Sequence, residues 1–436
     1  MPLRGSLRSV LLGACLLAAA VTVLASGGCT GTATSRPGSG GEAAHTAPHT
    51  ARHTPAQAAA APASATTPFG LQLMRSLGAG NLVLSPDSIA AALAMAGSGA
   101  AGDTAAQIAQ VLHLASPHAF AAVGQLQGAL AAEQLAAAHG DPQAPTLDLA
   151  NGLFLQQGYA VEPAFQAGLQ SHFGVAPQTV DFRLPGAVEA INTWVSRHTQ
   201  GVIPHILSSL SPQTRLALAN AIYLKAAWRY PFKPGATASA PFHGQHESGV
   251  IPFMHETDEL PYGRGRGYAA VDLPYRSSTL SLLVVLPVGQ TLGALERGLS
   301  AGRLNAIVRG LSAREVLLSL PRFRLTTHTA LNGALEALGM TAAFSEAADF
   351  SAITTAEALK IGLVEHAADF RVDEAGTVAA AATVVTIEPT VARAPGPHSV
   401  PFNADRPFLF FLRDDRSGAL LFAGRLVDPA SARLPA

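Results

Sequence analysis

The chain is expected to fold as a mixed α+β protein, and three observations carry that expectation. Apolar side chains recur at helical spacing mainly early, after Ser85 and after Asp103. Strand-like runs rich in Leu, Val, Ile and Phe come mainly later, from Leu216 onward. The two patterns are segregated rather than alternating, which argues against a βαβ architecture. At 436 residues, length alone suggests about three domains. No second low-complexity break follows Phe69, however, so one unit over 67–436 is expected, in a chain whose 48% apolar residues can fill a large core.

From the N-terminus, the first segment has the form of an export signal. Arg4 and Arg8 precede the apolar run Val10 to Ala25, which is too short and too closely followed by Ser26 and two glycines for a membrane-spanning helix. Both cysteines of the chain, Cys15 and Cys29, lie here, so the mature domain can form no internal disulfide and no thiolate metal site. The residues Ala25 to Cys29 resemble a bacterial lipobox, although Ser26 stands where Leu is usual. Residues 1–28 are thus expected to be a lipoprotein-type signal peptide and Cys29 the lipidated residue, an ordinary secreted protein being the alternative. Residues 29–66 are rich in Ala, Pro, Thr and His with almost no large apolar side chain, and a disordered linker is expected. His45, His49 and His53 recur every fourth residue, but Pro48 and the composition make them solvated linker residues rather than metal ligands.

In the globular part, Ser85 is expected as the N-cap of a helix with Pro86 at its first position, followed by Ile89, Ala92, Leu93 and Ala96 at helical spacing. A second helix starts near Asp103 and presents Ile108, Val111 and Leu112. A third carries Leu331, Ala334, Leu335 and Leu338 and stops at Gly339. Strands are expected over 216–224, 280–286, 316–320, 367–372 and 408–412.

The stretch from Asp373 to Val385 holds nothing reactive and is suited to a change of shape. It opens on Gly376, runs through small and β-branched residues, and leads to a loop broken by Pro395, Pro397 and Pro401. Alternate side chains of a strand point to opposite faces. One parity reads Thr377, Ala379, Ala381, Thr383, Val385 and Ile387, while the other contains Glu388. The segment can therefore bury one face as an inner strand without burying a charge. Alanine is abundant everywhere, so the run 379–382 carries little by itself. A surface helix over 377–384 is disfavoured by Gly376 and by the β-branched run that begins at Thr383.

Charge excludes several classes. The net charge is -1 and charged residues make up 13%, about half the usual share. Without a basic stripe, neither a nucleic-acid partner nor a polyanion-activated site is expected. An exported hydrolase is the rival class, but the chain has no His-Glu-x-x-His and no Ser-x-x-Lys, and no catalytic serine is expected. His243, His246 and His255 with Glu247 and Glu256 look metal-like, yet Pro241 and Pro252 flank them in what reads as a polar connection.

Several stretches are specific enough to name a resemblance. They are Asn81 to Ile89, Asn192 to Val195 with Thr199 to Gly201, Leu218 to Phe232, Leu320 to Phe323, Leu338 to Met340 with Ala343 to Ser345, and Asp349 to Ser351. The last is Phe402 to Phe410, with Leu421 to Gly424 behind it. In order from about residue 68 to 428 they resemble the serpins, a family of serine protease inhibitors.

The resemblance implies a large mixed β-sheet with surrounding helices, a second β-barrel-like region and an exposed reactive-centre loop over about 374–401. It implies no enzyme, cofactor or metal. A target protease would cleave the loop and form an acyl-enzyme, and the loop would then enter the main sheet as a strand, as serpin loops do. The hinge would comprise Glu374, Gly376, Thr377, Ala379, Ala380, Ala381 and Ala382. Ser85, Ser88, Asn220 and His366 match the family's shutter, and Trp228 its breach; singly, His366 would pass for a satisfied core histidine and Trp228 for packing. Counting from Gly376 puts the scissile bond at Thr390 and Val391, which suits elastase-like or subtilisin-like proteases. Counting back from Phe402 favours Arg393 and Ala394, for a trypsin-like enzyme. The hinge count is preferred because the sheet fixes the inserted length. No bulky, charged or proline residue blocks the entry, which favours an inhibitor over a non-inhibitory binding or chaperone-like serpin; cysteine proteases are a further target class. A monomer is expected, exported and tethered to the outer face of the cell membrane through Cys29.

Overall fold

The computed structural model describes residues 55–377 and 398–429, with residues 55–65 as backbone alone. In chain order its first elements are α1 (Pro55–Ser76), β1 (Leu82–Leu84), α2 (Pro86–Gly97), α3 (Gly102–Val111), α4 (Phe120–Ala138), β2 (Thr146–Gln156), α5 (Pro163–Phe173), β3 (Gln178–Val180), α6 (Gly186–His198) and β4 (Leu216–Ala227). Next come β5 (Ala238–His243), β6 (Ser248–Gly265), β7 (Tyr268–Pro274), β8 (Leu280–Pro287), α7 (Leu292–Arg297), α8 (Ala301–Arg309), β9 (Ser312–Pro321) and β10 (Phe323–Ala330). The last are α9 (Asn332–Ala337), β11 (Leu363–Val372), β12 (Gly376–Thr377), β13 (Val400–Asn403), β14 (Phe408–Asp414) and β15 (Leu420–Leu426).

Two sheets share the core. The first has the order β10-β11-β12-β4-β2-β3 and is mixed, since β11 also pairs directly and in parallel with β4. The second runs β1-β15-β14-β8-β7-β6-β9-β13, with β5 on β6. Phe370 of β11 stacks on Phe410 of β14 at 5.0 Å, so aromatic rings join the sheets face to face. On the other face of the first sheet, Ala217, Ala219 and Ala221 lie with Ile191 and Val195 of α6. Helix α2 is buried along its whole length against β2, β4 and β15. Such a helix must be apolar all round, and its alanines keep it thin enough to lie under the strands.

Asn192 and Thr199, with Arg425, fix these layers. The Asn192 side chain donates to the Leu207 carbonyl at 2.9 Å and accepts from the Ile206 and Leu207 amides, which seats the segment after α6. Thr199 closes α6 by donating to the Val195 carbonyl at 2.9 Å. Buried Arg425 donates to the Met74 carbonyl at the end of α1 and pairs with Glu296 at 2.7 Å, so its charge is compensated.

Three expectations need correction. Helix α1 begins inside the stretch expected as linker, so residues 55–66 are helical; their alanines are the best helix formers. The second sheet is an open path rather than a barrel, because among the described residues its end strands β1 and β13 do not pair with each other. The histidines expected in a polar connection sit on the β5–β6 hairpin: His243 ends β5, and His255 and Glu256 lie within β6. His246 pairs with Asp428 at 2.7 Å and Glu256 lies 3.6 Å from Lys233, and no group of three potential ligands converges among the described residues.

Candidate functional site

After Val372 the chain turns and re-enters the first sheet at once. Asp373 makes the turn, its Oδ1 accepting from the Ala375 amide at 3.0 Å and the Gly376 amide at 3.2 Å. Gly376 and Thr377 then pair with Ala227 and Ala226 of β4, and Thr377 with Val372 of β11. Glycine is required at 376 because a Cβ there would lie 2.0 Å from the Ala226 carbonyl oxygen. Lower down, β4 and β11 pair with each other from Ala217 and Leu363 to Ile222 and Ala368. The strands diverge above that point, and β12 occupies the start of the gap.

Trp228, singled out from the sequence, holds this turn. Its indole N–H donates to the Asp373 carbonyl at 2.9 Å and its backbone N–H to the Ala375 carbonyl at 3.0 Å. The ring stacks on Tyr275 at 4.6 Å, and the Tyr275 hydroxyl bonds the Thr377 hydroxyl. Burial raises the Tyr275 phenol, which therefore stays neutral. Glu374 accepts from the Thr237 hydroxyl at 2.7 Å and lies 3.5 Å from Arg322. Tyr275 and Thr237 escaped sequence reading, since each is distant in the chain and unremarkable in composition; Arg322 lies in the stretch Leu320 to Phe323, but its approach to Glu374 was not expected.

The structure also brings Ser85, Ser88, Asn220 and His366 together beneath the directly paired part of β4 and β11. All four are almost fully buried. The Ser85 backbone N–H donates to His366 Nε2 at 3.3 Å. Because that N–H can only donate, the imidazole proton sits on Nδ1, which donates to Asn220 Oδ1 at 2.6 Å. Burial, and then the nearby His328 charge, lower His366 to about 3, so it is neutral at ordinary pH. Asn220 Nδ2 donates to Ser88 Oγ at 2.6 Å and also to Asn151 Oδ1, which Ser88 Oγ reaches at 2.9 Å. Asn151 in turn donates to Gln127 Oε1 at 3.0 Å, and Gln127 to Asp87 Oδ2 at 3.2 Å. Asp87, Gln127 and Asn151 were not expected here. The available signal was a charge at position 87 in a helix otherwise apolar enough to be buried.

Ala379, Ala380, Ala381, Ala382, Thr390, Val391, Arg393, Ala394 and Cys29 lie outside the described residues. A Gly-x-Ser-x-Gly spacing does occur at Gly298 to Gly302, but Ser300 follows a helix rather than a strand and is the N-cap of α8, accepting from the Arg303 amide at 3.2 Å. It is not the strained strand-to-helix elbow that a catalytic serine needs.

Residues 64–429 match the family model described as Serpin (serine protease inhibitor). The chain is 36% identical over 353 residues to a serpin-like protein of Thermococcus kodakarensis, covering 80% of this chain and 81% of that one. It is 35% identical over 387 residues to the leukocyte elastase inhibitor of Bos taurus, covering 84% and 99%. The crystal structure of mouse protein-Z dependent protease inhibitor shares the fold, with a TM-score of 0.75 at 22% identity over 86% of this chain and 99% of that one. The match spans both sheets, the turn at Asp373 and the network around Asn220, and the chain belongs to the serpin family.

Proposed function

We propose that the chain is an irreversible suicide-substrate inhibitor of serine proteases, in which a cleaved loop enters the first sheet between β4 and β11. The observation that carries this reading is the pairing of Gly376 and Thr377 with β4, and of Thr377 also with β11, in a single register. Continued residue by residue, that register sets Ala379 opposite Leu224 and Phe370, Ala381 opposite Ile222 and Ala368, and Thr383 opposite Asn220 and His366. It agrees with the register in which β4 and β11 already pair, His366 against Asn220 and Ala368 against Ile222. An entering strand therefore needs no slippage of its neighbours. The inward parity, set by buried Thr377, is the one without Glu388. Each added ladder hydrogen bond contributes about 1 kcal/mol net. A strand between β4 and β11 moves them to roughly 10 Å apart and so breaks the bond from His366 to Asn220, with Thr383 placed to meet both.

The bovine relative is named an elastase inhibitor, which agrees with a small residue at the bait position. We assign the scissile bond to Thr390 and Val391, for an elastase-like or subtilisin-like protease, and place the protein outside the cell, monomeric and anchored through a lipid on Cys29. Incubation with elastase and with subtilisin followed by a denaturing gel is the test. A complex that survives SDS, with a released peptide beginning at Val391, is the expected result. Cleavage without complex would make the chain a substrate and remove the inhibitory reading; a peptide beginning at Ala394 would move the bond to Arg393.

A further inference from the structure

Ser85 and Asp87, both at the start of α2, are the two ends of one closed ring of hydrogen bonds. From Asp87 the ring passes through Gln127 of α4, Asn151 of β2, Asn220 of β4 and His366 of β11, and returns to the Ser85 backbone N–H, with Ser88 bridging Asn151 and Asn220. Every middle member can exchange donor and acceptor: amides flip, hydroxyls rotate and a neutral imidazole has two tautomers. The ends cannot. A backbone N–H only donates and an ionised carboxylate only accepts, so the sense of every bond between them is set from the two ends.

We propose that Asp87 is a positioning residue for the main sheet: its carboxylate fixes the ring from the α4 side and so holds β4 against β11 where a strand would enter. What that opening is for rests on the proposed inhibitory function; that Asp87 restrains it does not. The residue is costly where it stands. Asp87 is 1% exposed, and its Oδ1 has no hydrogen-bond partner among the described residues. Burial raises its carboxyl to about 6, opposed only by the Gln127 hydrogen bond, with no charged neighbour contributing. An aliphatic side chain would suit the packing of this apolar helix better. Among the described residues its one side-chain partner is the Gln127 amide, which also lies 3.4 Å from the Asp87 carbonyl.

Native-state hydrogen exchange on the intact chain tests this, following the β4–β11 ladder at 217–222 and 363–368 with the β14–β15 ladder as reference. Asp87→Asn keeps the shape but lets position 87 offer Gln127 a donor as readily as an acceptor. It is expected to speed exchange in the β4–β11 ladder about tenfold, as replacing a charge-assisted buried hydrogen bond by a neutral one implies, and to leave β14–β15 unchanged. Gln127→Leu breaks the same link and should do the same, and the double variant should be no faster than either single one. Should Asp87→Asn not fold, Asp87→Leu carries the same expectation and the same cycle. Unchanged exchange, additive effects in the double variant, or acceleration spread evenly over both ladders would each overturn the proposal. Melting of the loop-cleaved chain tests insertion separately: no gain there sinks the inhibitory reading, while the exchange rates still decide the role of Asp87.

Discussion

The hydroxyls of Tyr275 and Thr377 share a hydrogen bond inside the protein, where the two residues are 0% and 2% exposed. Thr377 is the last described residue before the loop, so its polar atom is already satisfied as the chain enters the sheet. Tyr275 is held for that role by its stack on Trp228, which in turn grips the turn at Asp373. Thr377, Tyr275, Trp228 and the turn at Asp373 are thus one packed unit.

Removing the phenol should loosen that unit. Tyr275→Phe leaves the Thr377 hydroxyl buried without this partner, at about 1–3 kcal/mol. The amides of Gly376 and Thr377 are expected to exchange faster in the variant, and Thr377→Val, which removes the stranded hydroxyl, should restore slow exchange in the same background. Equal exchange in wild type and Tyr275→Phe would show that the bond does not restrain the hinge.

A charge at the same position should block entry altogether. Thr377→Arg places a guanidinium against Tyr275 and Trp228, where an unpaired charge costs several kcal/mol. The variant is expected to be cleaved by the target protease and to release it, so inhibition turns into turnover. Stoichiometry of inhibition measures this, and an unchanged value counts against insertion.

The sequence disclosed the parts of this site that answer to local rules. Ser85 caps α2 as its position before Pro86 predicts, its hydroxyl accepting from the Ser88 amide at 3.3 Å. The parity of the loop placed Thr377 on the inward face because strand alternation is a local property. Asn151, Gln127 and Tyr275 were illegible because each acts through a partner distant in the chain, Tyr275 on a residue 102 positions away. The segment at 55–66 misled because polar composition outweighed alanine's helix propensity in the reading but not in the fold. Strand β2 was missed where Asp148, Asn151 and Gly152 interrupt its apolar run.

Cleavage of the loop should raise the melting temperature substantially, because the proposed mechanism makes the uncleaved form a kinetic trap. The proposed register makes the gain depend on Thr383, which would sit inward between Asn220 and His366. Thr383→Arg should allow the first turns of entry and then stall, so that the cleaved variant gains much less than cleaved wild type. Equal gains in the two proteins would mean that the strand does not reach the ring, or enters in another register.

Asp87 and His366, at opposite sides of the ring, shift stability in opposite senses with pH. The Asp87 carboxyl is raised from 3.8 to about 6, so on acidification the native state takes its proton before the unfolded chain does. The Asp87 contribution to native stability therefore rises as pH falls from about 6 to about 4. His366 is lowered from 6.5 to about 3, so the unfolded chain is protonated first and stability falls over that whole window. Each such proton changes stability by about 1.4 kcal/mol per pH unit. Between about pH 6 and 4 the two effects largely cancel, and below that only His366 of the pair still shifts stability. Asp87→Asn lacks the first effect and is expected to lose stability from about pH 6.5 downward, falling behind wild type by roughly 3 kcal/mol between pH 6 and 4. The raised carboxyls of Asp258 and Glu365 are common to both proteins and drop out of that difference. Urea unfolding across the range measures it, and parallel curves for the two proteins would show that Asp87 does not titrate there.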